Sequence, residues 1–277
     1  MINFKKIKKL GIITGNGDLP LDIITECKKH KIEPVCALIK GFANPIKYKK
    51  YTSEIFDFGS VGKVLEFFKK NNVKHMLFVG GVKKPSLKDL KTDTQGVLLL
   101  SQLLKNKLFG DNKVLETVVS FFEKRGLEIL TIADILKDSC TGKGLITKNK
   151  IKDKSYFDDI KIGVDALKVM SGLDIGQAIV VQQGVIIGVE GIEGTEKLIE
   201  RCAKLKYTKG RKPILVKIKK INQTKKADLP VIGLDTIKQI TKAGFAGIVI
   251  DGSNCIVSRK SEVLKLADTN KIFIFGI

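Results

Sequence analysis

The sequence predicts an α/β fold of two α/β domains joined by a short linker. Three observations predict it. Short apolar stretches alternate with longer amphipathic ones through the first half, the pattern of a mainly parallel, Rossmann-like layered sheet. The pattern stops at Lys137-Asp-Ser-Cys-Thr-Gly-Lys-Gly144, where small and polar residues with two glycines read as a linker. It then resumes around two apolar runs separated only by Gln183-Gly184, the signature of a hairpin. The expected division is 1–136 for the first domain, 137–145 for the linker and 146–277 for a mixed C-terminal domain.

The elements follow in order. Leu10–Thr14 reads as a buried strand. It feeds the turn Gly15-Asn-Gly-Asp-Leu-Pro20, whose proline suits a first helical turn, and Leu21, Ile23, Ile24 and Cys27 form an apolar stripe. Strands are expected at Pro34–Ile39, Ile55–Phe58, His75–Val79 and Leu127–Leu130. Helices are expected at Val61–Lys70, Leu87–Leu90, Val97–Leu104 and Val114–Arg125. The second half reads as a helix at Ser155–Met170, the strands Ala178–Val181 and Val185–Val189, and a helix at Thr195–Leu205. A strand at Ile214–Ile218 and a helix at Leu234–Ala243 follow. Strands at Gly247–Ile250 and Cys255–Val257, a helix at Ser261–Asn270 and a strand at Ile272–Phe275 complete it.

Composition removes several classes. No apolar run approaches the roughly 20 residues of a membrane span, and the N-terminal apolar run is too short for a signal peptide. A cytosolic location is expected. The five cysteines are scattered without a C-x-x-C pair, which argues against a disulfide framework or a structural zinc. The formal net charge is +21, but the bases are nearly all lysine, with arginine only at positions 125, 201, 211 and 259. Lysines spread over every segment, without aromatic interleaving, argue against specific nucleic-acid binding. Weak attraction to an anionic membrane surface is expected.

The densest chemistry lies in Glu190-Gly-Ile-Glu-Gly-Thr195, where acids and glycines end a strand and open a helix. Glycines admit close backbone approach, helix N-termini hold anions, and carboxylates are ligands for hard cations. The plainer alternative makes Glu193 a complement to the helix dipole and Glu190 a solvated strand end. Gly15 and Gly17 end one expected strand, and Gly80 and Gly81 end another with Lys83 and Lys84 beyond. Both are strand-end loops, so they are expected to line one crevice. The third glycine of a dinucleotide fingerprint is missing after Gly17, with Pro20 near its place, which disfavours a nicotinamide cofactor. Asp111 reads equally as an N-cap or a metal ligand. Asp228, before Leu229-Pro230, suits metal binding or water activation, or else a simple Asx turn. His30 and His75 sit in no motif and read as structural.

Taken together, Leu10-Gly-Ile-Ile-Thr-Gly-Asn-Gly-Asp-Leu-Pro20, Val79-Gly-Gly-Val-Lys-Lys-Pro-Ser-Leu87, Asp174-Ile-Gly-Gln-Ala178, Gly188-Val-Glu-Gly-Ile-Glu-Gly-Thr195 and Asp228-Leu-Pro-Val-Ile-Gly233 resemble the LpxI-type UDP-2,3-diacylglucosamine pyrophosphatase family, in order and spacing. The resemblance implies a Mg²⁺-dependent hydrolysis of UDP-2,3-diacylglucosamine to UMP and 2,3-diacylglucosamine 1-phosphate, in lipid A biosynthesis. It implies Asp228 as the catalytic acid. On the residues themselves, Glu190 and Glu193 are expected to complete the site, with Asp228 and Glu190 on the metal. Substrate contacts are expected from Gly15, Gly17, Gly80, Gly81, Lys83, Asp174, Gln177, Gly194, Thr195 and Lys217. The expected setting is the cytoplasmic face of the inner membrane, in peripheral contact, with room for a homodimer. The chain departs from the family pattern at Thr224, where an acid is usual, at Lys226, where an arginine is usual, and at Asn112 and Glu196. Two alternatives stand beside this one: a non-catalytic nucleotide- or lipid-binding module, and a nicotinamide-dependent oxidoreductase resting only on the first glycine loop.

Overall fold

The computed structural model describes residues 4–82, 90–105, 111–173, 175–220 and 229–277. The chain forms two compact units, one built on Met1–Lys137 and the other on Asp138–Gln223 with Leu229–Ile277.

The first unit is a five-stranded parallel sheet in the order β3-β2-β1-β4-β5. Its strands are β1 (Lys9–Thr14), β2 (Glu33–Ile39), β3 (Thr52–Phe56), β4 (His75–Val79) and β5 (Glu128–Ile129). Helices α1 (Leu19–Lys29) and α5 (Ile132–Ile135) pack together on one face. Helices α2 (Val61–Lys70), α3 (Thr94–Lys105) and α4 (Asp111–Glu123) form a second layer. Phe68, Phe121, Phe122 and Met76 fill the core beneath that layer. The order of strands reverses between β1 and β4, and the two glycine loops leave the sheet at that switch point. The helix expected at Leu87–Leu90 falls almost wholly outside the described residues.

Asp93 ties two helices of this layer together. Its Oδ2 accepts from Lys63 N at 3.0 Å and its Oδ1 from Gly96 N at 2.8 Å, so one carboxylate closes the N-termini of α2 and α3. Burial pushes this carboxyl up, but the amides of Gly96, Gly62, Lys63 and Gln95 together hold it below its ordinary value of 3.8. A carboxyl lowered on folding adds stability above its unfolded pKa, and that stability is lost as pH falls through the folded value. Asp93→Ala is expected to cost about 1–2 kcal/mol at pH 7. Urea unfolding at pH 7 and again well below the ordinary carboxyl range should show the gap from wild type narrowing in acid.

The second unit holds a six-stranded mixed sheet in the order β6-β13-β11-β9-β7-β8. Strands β9 (Ile214–Lys217), β11 (Gly247–Ile250) and β13 (Phe273–Gly276) are parallel. The antiparallel members are β6 (Gly144–Leu145), β7 (Ala178–Gln182) and β8 (Val185–Val189). A parallel pair, β10 (Val231–Ile232) with β12 (Ile256–Val257), lies apart from it. Every residue of β7 is buried. Ile179 and Val181 pack with Ile160, Val164 and Leu167 of α6 (Tyr156–Ser171). Ala178 and Val180 pack in the core with residues of α7 (Gly194–Leu205), α8 (Leu234–Lys242) and α9 (Lys260–Thr269). Alternate faces of one strand thus feed two cores, which is why it reads as a continuous apolar run.

The hairpin turn has φ of 53° at Gln183 and 79° at Gly184. Positive φ at both central residues matches strand twist, and Gly184 adopts it without steric cost.

The segment expected to be a linker carries structure. Lys137–Ser139 is a 3-10 turn, and Gly144–Leu145 is an edge strand on β13. Thr141 N and Gly142 N both donate to Gly252 O, and Lys260 Nζ donates to Asp138 O and Cys140 O. From Asp138 onward these residues belong to the second unit. Loop-like composition concealed this because the pairing is only two residues long.

Candidate active site

Ligands of open α/β sheets bind beyond the carboxyl ends of parallel strands. In the second unit, that end gathers Lys217 from β9, Asp251 after β11, Gln177 before β7 and Glu190 after β8. The register places Ala178 and Ile250 on either side of Lys217.

Glu190 is buried and is not the solvated strand end of the plainer reading. Glu190 N donates to Ala178 O at 2.9 Å. Its Oε2 accepts from Gln177 N at 2.7 Å and its Oε1 from Thr195 Oγ1 at 2.5 Å. Buried Lys217 donates from Nζ to Thr195 Oγ1 at 3.0 Å. Ammonium, hydroxyl and carboxylate thus form one chain at the N-terminus of α7. A charge this far from water requires such partners. Gly176 lets the loop pass, since a Cβ there would lie 2.1 Å from Glu190 O.

Glu193 is differently placed. Its Oε1 pairs with Arg201 Nη2 at 2.8 Å and its Oε2 accepts from Gly191 N at 3.1 Å. The Arg201 bond, followed by backbone amides, holds its carboxyl below the usual range. Arg201 Nη2 also donates to Val189 O, so this exposed pair staples the start of α7 to the end of β8. Gly194 adopts φ of 81° at the first helical position.

Asp251 was not singled out from the sequence. Its signal was an acid directly after the apolar run Gly247–Ile250. Its carboxylate accepts from Ser253 N, Asn254 N and Asn254 Nδ2, which shapes the turn before β12. Burial pushes the nearby Cys255 thiol up to about 12, with the Lys217 charge opposing. That thiol is protonated, and a weak nucleophile, at neutral pH.

The glycine loops of the first unit do meet. Gly15 N donates to Val79 O, Asn16 N to Gly81 O and Gly81 N to Asn16 O, all within 3.0 Å. A Cβ on Gly15 would lie 2.5 Å from Gly81 O, and one on Gly80 would lie 2.6 Å from Asn16 O, so only glycine fits there. Gly17 N donates to its neighbour's Asn16 Oδ1 at 2.7 Å. The amides of Gly15, Gly17 and Gly81 are therefore engaged within the junction. Its side-chain-free surface at Gly17 and Gly81 faces open space.

Lys83, Asp174 and Asp228 lie outside the described residues, and the side chains of Asp111 and Asn112 are not described. The chain resumes after Asp228 with buried Leu229, and Pro230 O accepts from Ile256 N at 2.8 Å. Among the described residues, no group of three or more His, Cys, Asp or Glu side chains is placed to hold a metal. Glu190 retains lone pairs beyond its two hydrogen bonds, and its oxygen donors suit a hard cation such as Mg²⁺.

Comparison with known proteins adds two findings. Residues 9–139 match the model of the LpxI N-terminal domain, and residues 142–275 that of the LpxI C-terminal domain. The chain is also similar to the UDP-2,3-diacylglucosamine pyrophosphatase LpxI of Caulobacter vibrioides, with 29% identity over 276 residues and 98% of each chain covered.

Proposed function

Because the chain belongs to the LpxI family across both of its domains, we propose that it hydrolyses the pyrophosphate bond of UDP-2,3-diacylglucosamine, releasing UMP and 2,3-diacylglucosamine 1-phosphate. The observation that supports this most is the buried Lys217–Thr195–Glu190 chain at the carboxyl end of a parallel sheet. A fixed ammonium beside a helix N-terminus suits a substrate whose reacting centre is two linked phosphates.

In this reading water adds to one phosphorus and the bridging P–O bond breaks. Lys217, joined by Lys83, offsets charge on the phosphoryl oxygens as that bond lengthens. Asp228 takes the water's proton or helps hold a cation, and Glu190 supplies a further carboxylate oxygen. Mg²⁺, when bound by Asp228 and Glu190, supplies electrophilic stabilisation of the phosphates. Glu193 acts through the placement of α7. The open surface at Gly17 and Gly81 suits close approach of a ligand at the first unit's switch point.

The acyl chains place the substrate at a membrane. Among the described residues, no helix is long and apolar enough to cross one. The net charge of +21 suits contact with an anionic surface.

The deciding experiment is UMP release from UDP-2,3-diacylglucosamine by the wild-type protein, with Mg²⁺ and with EDTA. Release with Mg²⁺ that EDTA abolishes is the expected result. Tight substrate binding without UMP release would instead favour a binding module.

A further inference from the structure

Lys217 is the most unusual group in the second unit. Its side chain is buried, and among the described residues its Nζ donates to a hydroxyl and makes no ion pair. A carboxylate lies one bond further on, at Glu190. The protons in this chain have one direction. Gln177 N–H is fixed on Glu190 Oε2, and the ionised carboxylate only accepts. Thr195 has a single hydroxyl hydrogen, which goes to Glu190 Oε1 at 2.5 Å. The Thr195 oxygen therefore turns a lone pair toward Lys217, 3.0 Å away.

Two consequences follow. The Thr195 hydroxyl has no hydrogen left to offer a phosphate. Among the described residues, Lys217 has one of its three ammonium hydrogens anchored, and the other two have no partner there. A direct Lys–Glu contact would bring the carboxylate against the ammonium and quench much of its field. An interposed hydroxyl fixes the long lysine stem, which otherwise has many rotamers, and leaves the positive charge directed outward.

Given the pyrophosphate reading on which this rests, we infer that Thr195 is a positioning residue: it binds no substrate itself, but aims the Lys217 ammonium at the phosphates from a Glu190 anchor. This departs from the expectation that Thr195 contacts substrate directly.

The test is UMP release by wild type, Thr195→Val, Thr195→Ser, Lys217→Met and the Lys217→Met/Thr195→Val double variant. Valine keeps the volume and removes the hydroxyl. Misplacing a charge-stabilising group lowers turnover, so T195V is expected to lose roughly 30-fold or more in kcat with KM nearly unchanged. Serine restores the bridge and most of the rate. In the K217M background, adding T195V changes kcat by less than about threefold, because the hydroxyl then has nothing to aim. That comparison stands even where T195V alone fails to fold, since the double variant carries no orphaned ammonium.

A T195V protein with wild-type kcat overturns the inference. So does a rise in KM at unchanged kcat, which would make Thr195 a substrate contact, or a multiplicative loss in the double variant. A wild-type protein that folds but releases no UMP removes the hydrolase reading and this inference with it. An active wild type with an indifferent T195V removes this inference alone.

Discussion

Asp228→Ala is expected to lower UMP release by roughly 10³-fold while leaving the fold intact, the loss typical of removing a general base or an equivalent carboxylate. The position follows from chemistry and sequence together. The chain has two histidines, His30 and His75, and the structure puts both in the first unit, each beside a glutamate. Proton transfer in the second unit therefore falls to groups other than histidine, with carboxylates the first candidates. Glu190 has both oxygens engaged, Glu193 is paired to Arg201, and Asp251 shapes its own turn. Asp228 is the acid that the family resemblance names as catalytic, and the chain just beyond it is anchored by buried Leu229 and the Pro230–Ile256 bond. A Mg²⁺ titration separates its two roles. If Asp228 chiefly holds the cation, Asp228→Asn regains part of its rate at high Mg²⁺. If it takes the proton, no Mg²⁺ concentration restores it. An Asp228→Ala protein with full, Mg²⁺-dependent turnover would remove the residue from the mechanism.

The elements that the sequence announced share one property: their signal is local. Buried runs such as Ile214–Lys217 and Gly247–Ile250 are apolar throughout because both sheet faces are covered. The Gln183-Gly184 turn is visible because so few residues accept its dihedrals. Strands β6 and β10 are two residues each, too short to show a period, and they exist only because a distant strand offers an edge. The site divides along the same line. Glu190 and Thr195 stood out because glycines surround them. Their bond to each other, and the link to Lys217 more than 20 residues away, depends on the register of β7 against β9. Glu193 shows the limit from the other side. Its position at a helix start was plain, but the Arg201 pair that fixes it follows from how the loop folds back on α7.

The largest stability effect is expected at Asp159, which looks in the sequence like an ordinary acid of a first helical turn. It is fully buried. Its Oδ1 accepts from Gly184 N at 2.6 Å, and its Oδ2 from Gln183 N at 3.2 Å and Arg211 Nη2 at 3.4 Å. One carboxylate on α6 thus holds the β7–β8 turn and a guanidinium from the chain entering β9. Asp159→Ala would leave two turn amides without their acceptor and Arg211 without its nearest carboxylate. Breaking a buried charged network in this way costs about 3–5 kcal/mol. Asp159→Asn keeps an acceptor but loses the charge, so it should fall between. Chemical denaturation followed by circular dichroism measures both, and hydrogen exchange at the hairpin amides should rise before the rest of the sheet opens. A loss under about 1 kcal/mol in the alanine variant would mean that water replaces the carboxylate, so that it is no clamp. The clamp also bears on chemistry. β8 ends at Val189, so a turn released at Gln183-Gly184 loosens the strand that delivers Glu190 to Thr195. Asp159→Asn, where folded, should therefore lose kcat more than KM, through the same Lys217 that Thr195 aims.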